Sequence, residues 1–346
     1  MPEASRRLHG RTLAELKDHL PALSALCSLT PLRYWEGPER DVFAVQVVTG
    51  SGFEYTVLPD RGLNIAHARF RGIPLDWSSG TGVRPPAAYE SAGWKWLRSF
   101  HGGLVQMCGL DNVGKPCVDP EAPGDNKEFG GHGRLGSTPA REVSWRTVER
   151  GGWVELEVSG KLHQTSALEE SLLLERIVRS ECGGNRLTLR DRITNLGHLP
   201  TPVFLLYHCN LGFPLLSGAS RLFLPCDSAR DWQGEPVPDP EALLPPQEEA
   251  LETVLYPEVS EEQVTVSLFN PELEGGMGLY LSYRRSELPC LTVWKCFRKR
   301  TYVLGIEPGT CRVEGRTVEK RRVRELARDE SCEVNLEIGL RFGKGK

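Results

Sequence analysis

The sequence predicts an all-β protein, a large antiparallel sandwich or barrel with a short helix at its N-terminus. Three observations carry that expectation. Short apolar or alternating runs, separated by clusters of Gly, Pro, Asn and Asp, fill nearly the whole chain. Helical patterns do not alternate with them, which argues against a βαβ architecture. No repeat of fixed period divides the chain into blades or solenoid turns.

Between Thr12 and Leu26 the apolar residues Leu13, Leu16, Leu20 and Leu23 recur at helical spacing. Thr12 is the expected N-cap, Glu15 is its capping-box partner, and Pro21 predicts a kink or an early end. Strands are then expected over 42–48, 53–58, 143–148, 154–158, 172–178, 187–193, 264–268, 278–283, 291–296, 302–306 and 332–340. This divides the chain into an N-terminal helical segment, 1–30, and a single β domain, 31–346. Two irregular insertions interrupt it. One, 80–103, contains Pro85-Pro86 and Trp94-Lys95-Trp96; the other, 226–250, is rich in proline and acidic residues. Long loops on a β scaffold are either functional or mobile.

A chain of 346 residues with 39% hydrophobic content buries a large core. Its net charge of -4 and pI near 6.1 give no basic excess of the kind that marks a partner of nucleic acid or anionic membrane, so a small or neutral ligand suits it better. The basic run 320–324 is broken by Val323 and flanked by Glu319, Glu325 and Asp329, which reads as a charge-paired edge strand. Ten cysteines are scattered without a C-x-x-C pair, so neither a zinc site nor a regular disulfide framework is expected, and reduced thiols in a cytoplasm are the simplest account. The apolar piece after Asp18 is broken by His19 and Pro21, which speaks against a secretory signal, and no run approaches a membrane span. Composition says nothing of oligomeric state.

Three segments carry candidate chemistry. In FLLYHCNLGFP, 204–214, strand alternation puts Val203, Leu205, Tyr207, Cys209 and Leu211 on one face and His208 and Asn210 on the other. The second face turns polar toward Gly212, as a strand does when its end opens into a cavity; a lone histidine there is more often a satisfied core residue. In GGHGRLGSTPAR, 130–141, glycines flank His132 and leave its imidazole and the Arg134 guanidinium unshielded, although a plain turn has the same composition. In YVLGIEPGT, 302–310, Glu307 ends an apolar strand beside Pro308, with Gly305 leaving a gap on the same face. Burial there raises a carboxyl pKa toward that of a base working near neutral pH, while an ion pair with arginine is the structural alternative. His132, His208 and Glu307 have the ligand types of a metal site, but metal sites commonly draw two ligands from one element and these three lie far apart; no metal is expected. No nucleophile elbow, P-loop or dinucleotide fingerprint is present.

Taken as an ordered set, LPDRGLNIAHARFRGIPLDW (58–77), GGLVQMCGLDNVG (102–114), HGRLGSTPA (132–140), YHCNLGFPLL (207–216) and WKCFRKRTYVLGIEPGT (294–310) resemble the galactose mutarotase-like (aldose 1-epimerase) superfamily, in particular a bacterial branch of it. The resemblance covers most of the chain. It implies a β-supersandwich with an open concave face that holds a sugar, and a mutarotase that interconverts the anomers of a monosaccharide without metal or organic cofactor. It also implies roles: Glu307 as general base, His208 as general acid and His132 as the assisting histidine. Candidates for hydroxyl binding are Arg61, Asp111, Asn112, Arg134, Asn210 and Lys295, with Trp94, Trp96 or Trp294 available to stack on a sugar. A carbohydrate-binding protein without turnover, or a lyase or hydrolase on the same scaffold, are the other expectations the resemblance allows.

Overall fold

The computed structural model describes residues 6–343. The first five residues of the expected 1–30 segment and the last three of the expected 31–346 domain lie outside them. Thr12 caps the helix Leu13–His19 through a reciprocal pair: its hydroxyl accepts from the Glu15 N–H, and the Glu15 carboxylate accepts from the Thr12 N–H at 2.7 Å. The helix stops at Leu20, the residue before Pro21, and a single 3-10 turn, Leu23–Ala25, completes the segment. The first strand, Ser28–Arg33, already begins inside the stretch assigned to the helical segment.

Every expected strand forms, most of them a residue or more longer at each end. They make three main antiparallel sheets. A five-stranded meander runs from Ser28–Arg33 to Ile73–Pro74. An eight-stranded sheet orders its strands as 221–223, 263–270, 277–284, 331–342, 186–195, 171–181, 153–165 and 141–150. A six-stranded sheet orders them as Ser228–Asp231, Thr253–Glu258, Cys290–Arg298, Thr301–Gly309, Phe204–Leu211 and Gln106–Leu110.

The main core lies on the inner face of the six-stranded sheet, where Leu205, Tyr207, Cys209, Leu211, Leu291, Val293, Leu304 and Ile306 join apolar residues of the eight-stranded sheet such as Leu174, Leu189 and Leu336. One buried polar triad crosses this core. Arg176 Nε donates to Asp191 Oδ1 at 2.7 Å and the Tyr207 hydroxyl donates to Asp191 Oδ2 at 2.6 Å. The Tyr207 bond ties the Phe204–Leu211 strand to the opposite sheet, and its charged acceptor, held by Arg176 within that sheet, makes it stronger than a bond between neutral groups. The outer face carries a second cluster, with Trp96, Phe100, Cys108, Phe204, Leu206 and Cys311 in it and Trp77 and Trp294 packed against it.

Two expectations are corrected. Cys27 and Cys182 are paired as a disulfide, which joins the end of the N-terminal segment to the eight-stranded sheet, and the other eight cysteines are free. The pairing closes a sequence separation of 155 residues, a distance at which no spacing rule operates. The basic run is not an edge strand. It follows a short helix, Arg316–Glu319, and Lys320 turns back to Asp119 and Glu121, each at 2.6 Å. No helix among the described residues is long and apolar enough to cross a membrane.

Candidate functional site

The site is a row of side chains across adjacent strands of the six-stranded sheet, on its outer face. Cys209 pairs with Ile306 and Leu206 with Gly309, a register that sets His208 directly opposite Glu307. On its other side His208 pairs with Gln106, and Glu307 pairs with Thr292. Directly opposed residues in an antiparallel sheet share a face, so Gln106, His208, Glu307 and Thr292 form one line across four strands. Gly305 and Gly309 flank Glu307 on that face, and the Glu307 carboxylate lies 2.6 Å from where a Gly305 Cβ would stand, a place only glycine leaves open to it.

His208 Nε2 lies 3.2 Å from Glu307 Oε1, with the two side chains only 6% and 2% exposed. The distance is that of an ion pair, yet the alignment leaves Glu307 Oε1 without a hydrogen bond. Burial raises the Glu307 pKa well above the usual carboxylate range, and burial together with His132 pushes that of His208 well below the usual imidazole value. The charged pair and the neutral pair hold the same single proton. Burial favours the neutral one, with the proton on the carboxyl.

His132 is brought to the row by the Gly-rich loop, which lies flat on the Gln106–Leu110 strand; a Cβ on Gly136 would overlap the Met107 carbonyl. Its backbone sits at φ +57°, a left-handed conformation that a side chain rarely adopts. Two hydrogen bonds hold it there: the His132 N–H donates to the Gly114 carbonyl at 2.9 Å, and its own carbonyl accepts from the Gly109 N–H at 3.0 Å. The imidazole centroid is 5.6 Å from that of His208 and 4.6 Å from that of Trp96. Burial among these rings lowers its pKa to about 4.

Aromatic rings wall the row. Phe100 and Trp294 lie 5.0 and 5.5 Å from His208, Trp96 stacks on Phe100 at 4.5 Å, and Trp94 stands 6.0 Å from His132. Trp94 and Trp96 come from the 80–103 insertion, which folds over the sheet as short 3-10 turns. Against this apolar wall, five buried polar atoms of the row and its neighbours have no hydrogen-bond partner among the described residues: His132 Nδ1, His208 Nδ1, Asn210 Oδ1, Thr292 Oγ1 and Glu307 Oε1. Buried polar groups are nearly always bonded, so these five leave hydrogen-bonding capacity that a polar ligand could meet.

The other expected binding residues divide. Asn210 shares the His208 face and clamps the strand end, donating to the Gly103 and His208 carbonyls at 3.1 and 2.9 Å. Arg61 is fully buried and spends its guanidinium on the carbonyls of Gly136, Arg84 and Ser99, at 3.1, 2.9 and 2.9 Å. Asn112 donates to the carbonyls of Lys115 and Gly130 and accepts from the Arg316 N–H at 2.7 Å. Arg134 bridges Asp111 at 3.3 Å and Glu170 at 2.7 Å, so its guanidinium is shared between two carboxylates. Lys295 faces away from the row, since it alternates with Trp294, and donates to the Pro240 and Ala242 carbonyls in the Pro-rich insertion; burial lowers its pKa to about 8. Arg61, Asn112 and Lys295 thus brace loops and do not line the row. Motif membership marked them as polar and near the site but could not say that their donors were already spent. Thr292 was missed, although its two-residue spacing from Trp294 puts both on one face. Among the described residues no group of three or more His, Cys, Asp or Glu side chains is spaced to hold a metal ion.

The fold is the galactose mutarotase-like β-sandwich, as comparison with solved structures shows. A candidate aldose 1-epimerase from Klebsiella pneumoniae superposes with a TM-score of 0.81 at 24% identity, over 91% of this chain and 83% of that one. A galactose mutarotase-like protein from Clostridium acetobutylicum gives 0.61 at 13% identity, over 92% and 99%. A galactose 1-epimerase from Lactobacillus acidophilus gives 0.59 at 12%, over 92% and 100%. At these identities the likeness shows the fold alone. Residues 39–340 match the family described as a domain of unknown function, DUF4432, and the chain belongs to that family. A search of curated proteins gave no significant match.

Proposed function

We propose that this chain is a mutarotase that interconverts the anomers of a monosaccharide or a modified sugar. The carrying observation is the row itself: a carboxyl and an imidazole in direct contact on a buried sheet face, among five polar atoms that the protein leaves without partners. The mutarotase-like scaffold supports the reading.

A cyclic aldose is a hemiacetal. Its ring opens when the anomeric hydroxyl loses a proton while the ring oxygen gains one; the aldehyde then turns and the ring closes on its other face. Glu307 takes the first proton and His208 supplies the second, and the return step reverses both transfers. The charged pair this requires is reached when ligand hydroxyls donate to Glu307, because hydrogen bonds to a carboxylate favour its ionised form. His132, neutral at physiological pH, holds a sugar hydroxyl, and the indole and phenyl faces of Trp96, Trp294 and Phe100 meet the C–H face of the ring.

The test is NMR exchange spectroscopy on a panel of neutral, deoxy, acidic and phosphorylated sugars with the wild-type protein. Accelerated anomer exchange for one of them, lost in Glu307→Gln, is the expected result. Binding without accelerated exchange anywhere in the panel overturns turnover and leaves a carbohydrate-binding protein.

A further inference from the structure

We propose that Thr292 is a positioning residue for Glu307, its hydroxyl holding the ionised carboxylate in place during turnover. The inference rests on the reading of Glu307 as the base. Thr292 stands directly across the strand from Glu307, on the side opposite His208. It is 1% exposed, and its Oγ1 has no partner among the described residues, as Glu307 Oε1 has none. Side chains directly opposed in an antiparallel pair have their Cβ atoms about 5 Å apart, within reach of a hydroxyl-to-carboxylate hydrogen bond after a rotamer change.

The alternatives around the carboxylate are poor donors. Gly305 and Gly309 lie along its own strand on that face, and Cys290 and Trp294 flank Thr292 along the next one. The titratable groups near Glu307 are His208 and the thiols of Cys108 and Cys209, both of which burial keeps protonated; a thiol is a weak donor. With the proton on Glu307 the carboxyl has little need of a further donor, but once the proton has passed to His208 the carboxylate has a protein donor on the His208 side only, and Thr292 stands on the other. A β-branched hydroxyl with restricted χ1 supplies the second donor at small entropic cost. An apolar residue of the same shape would satisfy packing equally well, so the choice of Thr at a buried, unbonded position points to its oxygen.

The experiment reads the titration of Glu307 in sugar-free protein, by NMR of glutamate labelled with 13C at the carboxyl, the Glu307 resonance being identified by its loss in Glu307→Gln. Thr292→Val removes the hydroxyl and keeps the shape; Thr292→Ser keeps the hydroxyl. The expected result is a midpoint raised by about one pH unit in Thr292→Val, a roughly tenfold loss of acidity, and a return toward wild type in Thr292→Ser. An unchanged midpoint in Thr292→Val overturns the proposal, and Thr292→Ala provides the same reading if the valine variant does not fold. With a sugar that the wild type turns over, kcat should fall tenfold or more in Thr292→Val with KM within twofold. Because the titration needs no sugar, failure to find a substrate would count against the mutarotase reading alone.

Discussion

Glu307 Oε1 stands 3.2 Å from His208 Nε2 because two strands from distant parts of the sequence pair in a register that leaves no other outcome. Each residue lies on the face its strand parity dictates, and the buried triad behind Tyr207 holds the His208 strand to the opposite sheet. Both side chains are therefore fixed on sheet, not on loops, which suits the proposed reaction, where each would reach one oxygen of the same hemiacetal carbon.

The first prediction concerns this pair. Glu307→Gln and His208→Asn should each lower anomer exchange by roughly 10²–10⁴-fold. The double variant should be little worse than the poorer single one, since a shared proton cannot be lost twice. Exchange spectroscopy gives the rates and circular dichroism confirms folding; strictly additive losses would show that the two side chains act independently.

Much of this was legible in the sequence, and the boundary is physical. Side-chain alternation is a strict period of two, so the faces of His208, Asn210 and Glu307 followed from sequence alone. The Thr12 and Glu15 cap followed from a rule spanning three residues. What failed was anything set by a distant partner. Whether Arg61 faces a ligand depends on the positions of the Gly136, Arg84 and Ser99 carbonyls, and the pairing of Cys27 with Cys182 depends on the whole topology. Thr292 lay between the two: parity put it on the face, but only the register put it beside Glu307.

His132 should make the protein acid-sensitive. Its pKa is about 4 in the folded state against the ordinary 6.5, so it contributes stability above pH 6.5 that is lost as pH falls toward 4. Between pH 7.5 and 4.5 the loss from this one group is about 2.5 kcal/mol. Urea denaturation at the two pH values should show His132→Gln losing less stability than the wild type by about that amount. Equal losses would mean that the imidazole is not held neutral.

Arg61 should matter for stability and not for binding. Replacing it with Met strands the buried Ser99 carbonyl and frees the half-buried Arg84 one, while Gly136 keeps a bond from Asn64, at a cost of about 2–4 kcal/mol. Chemical denaturation measures the cost, and calorimetry with a sugar bound by the wild type should return an unchanged Kd in the folded variant. A weakened Kd with stability intact would restore Arg61 as a ligand contact.

The cysteine pair makes a chemical prediction. Alkylation of protein denatured without reductant should label eight of the ten cysteines, and all ten after reduction, with a peptide linking Cys27 to Cys182 found only before it. Closing so long a loop restricts the unfolded chain by about 5 kcal/mol in the chain-entropy treatment, so reduction should lower the urea midpoint. Ten labelled cysteines without reductant would place both thiols in the reduced state.

Gly305 offers the sharpest test of how the carboxylate is held. A Cβ built there would lie 2.6 Å from Glu307 Oε1 and 3.1 Å from the Trp294 Cβ. The backbone is outside the left-handed region, so alanine brings no conformational strain, and the nearest atom it meets is the movable end of a side chain. Gly305→Ala should therefore fold, with a stability loss of about 1–3 kcal/mol from the crowding against Trp294. It should nonetheless swing the carboxylate off its line with His208, and a displacement of about 1 Å at such a group can cost on the order of 10²-fold in rate. Denaturation and exchange spectroscopy on the same preparation separate the two effects. Undiminished exchange in a folded Gly305→Ala protein would mean that Glu307 works from a position other than the one beside His208.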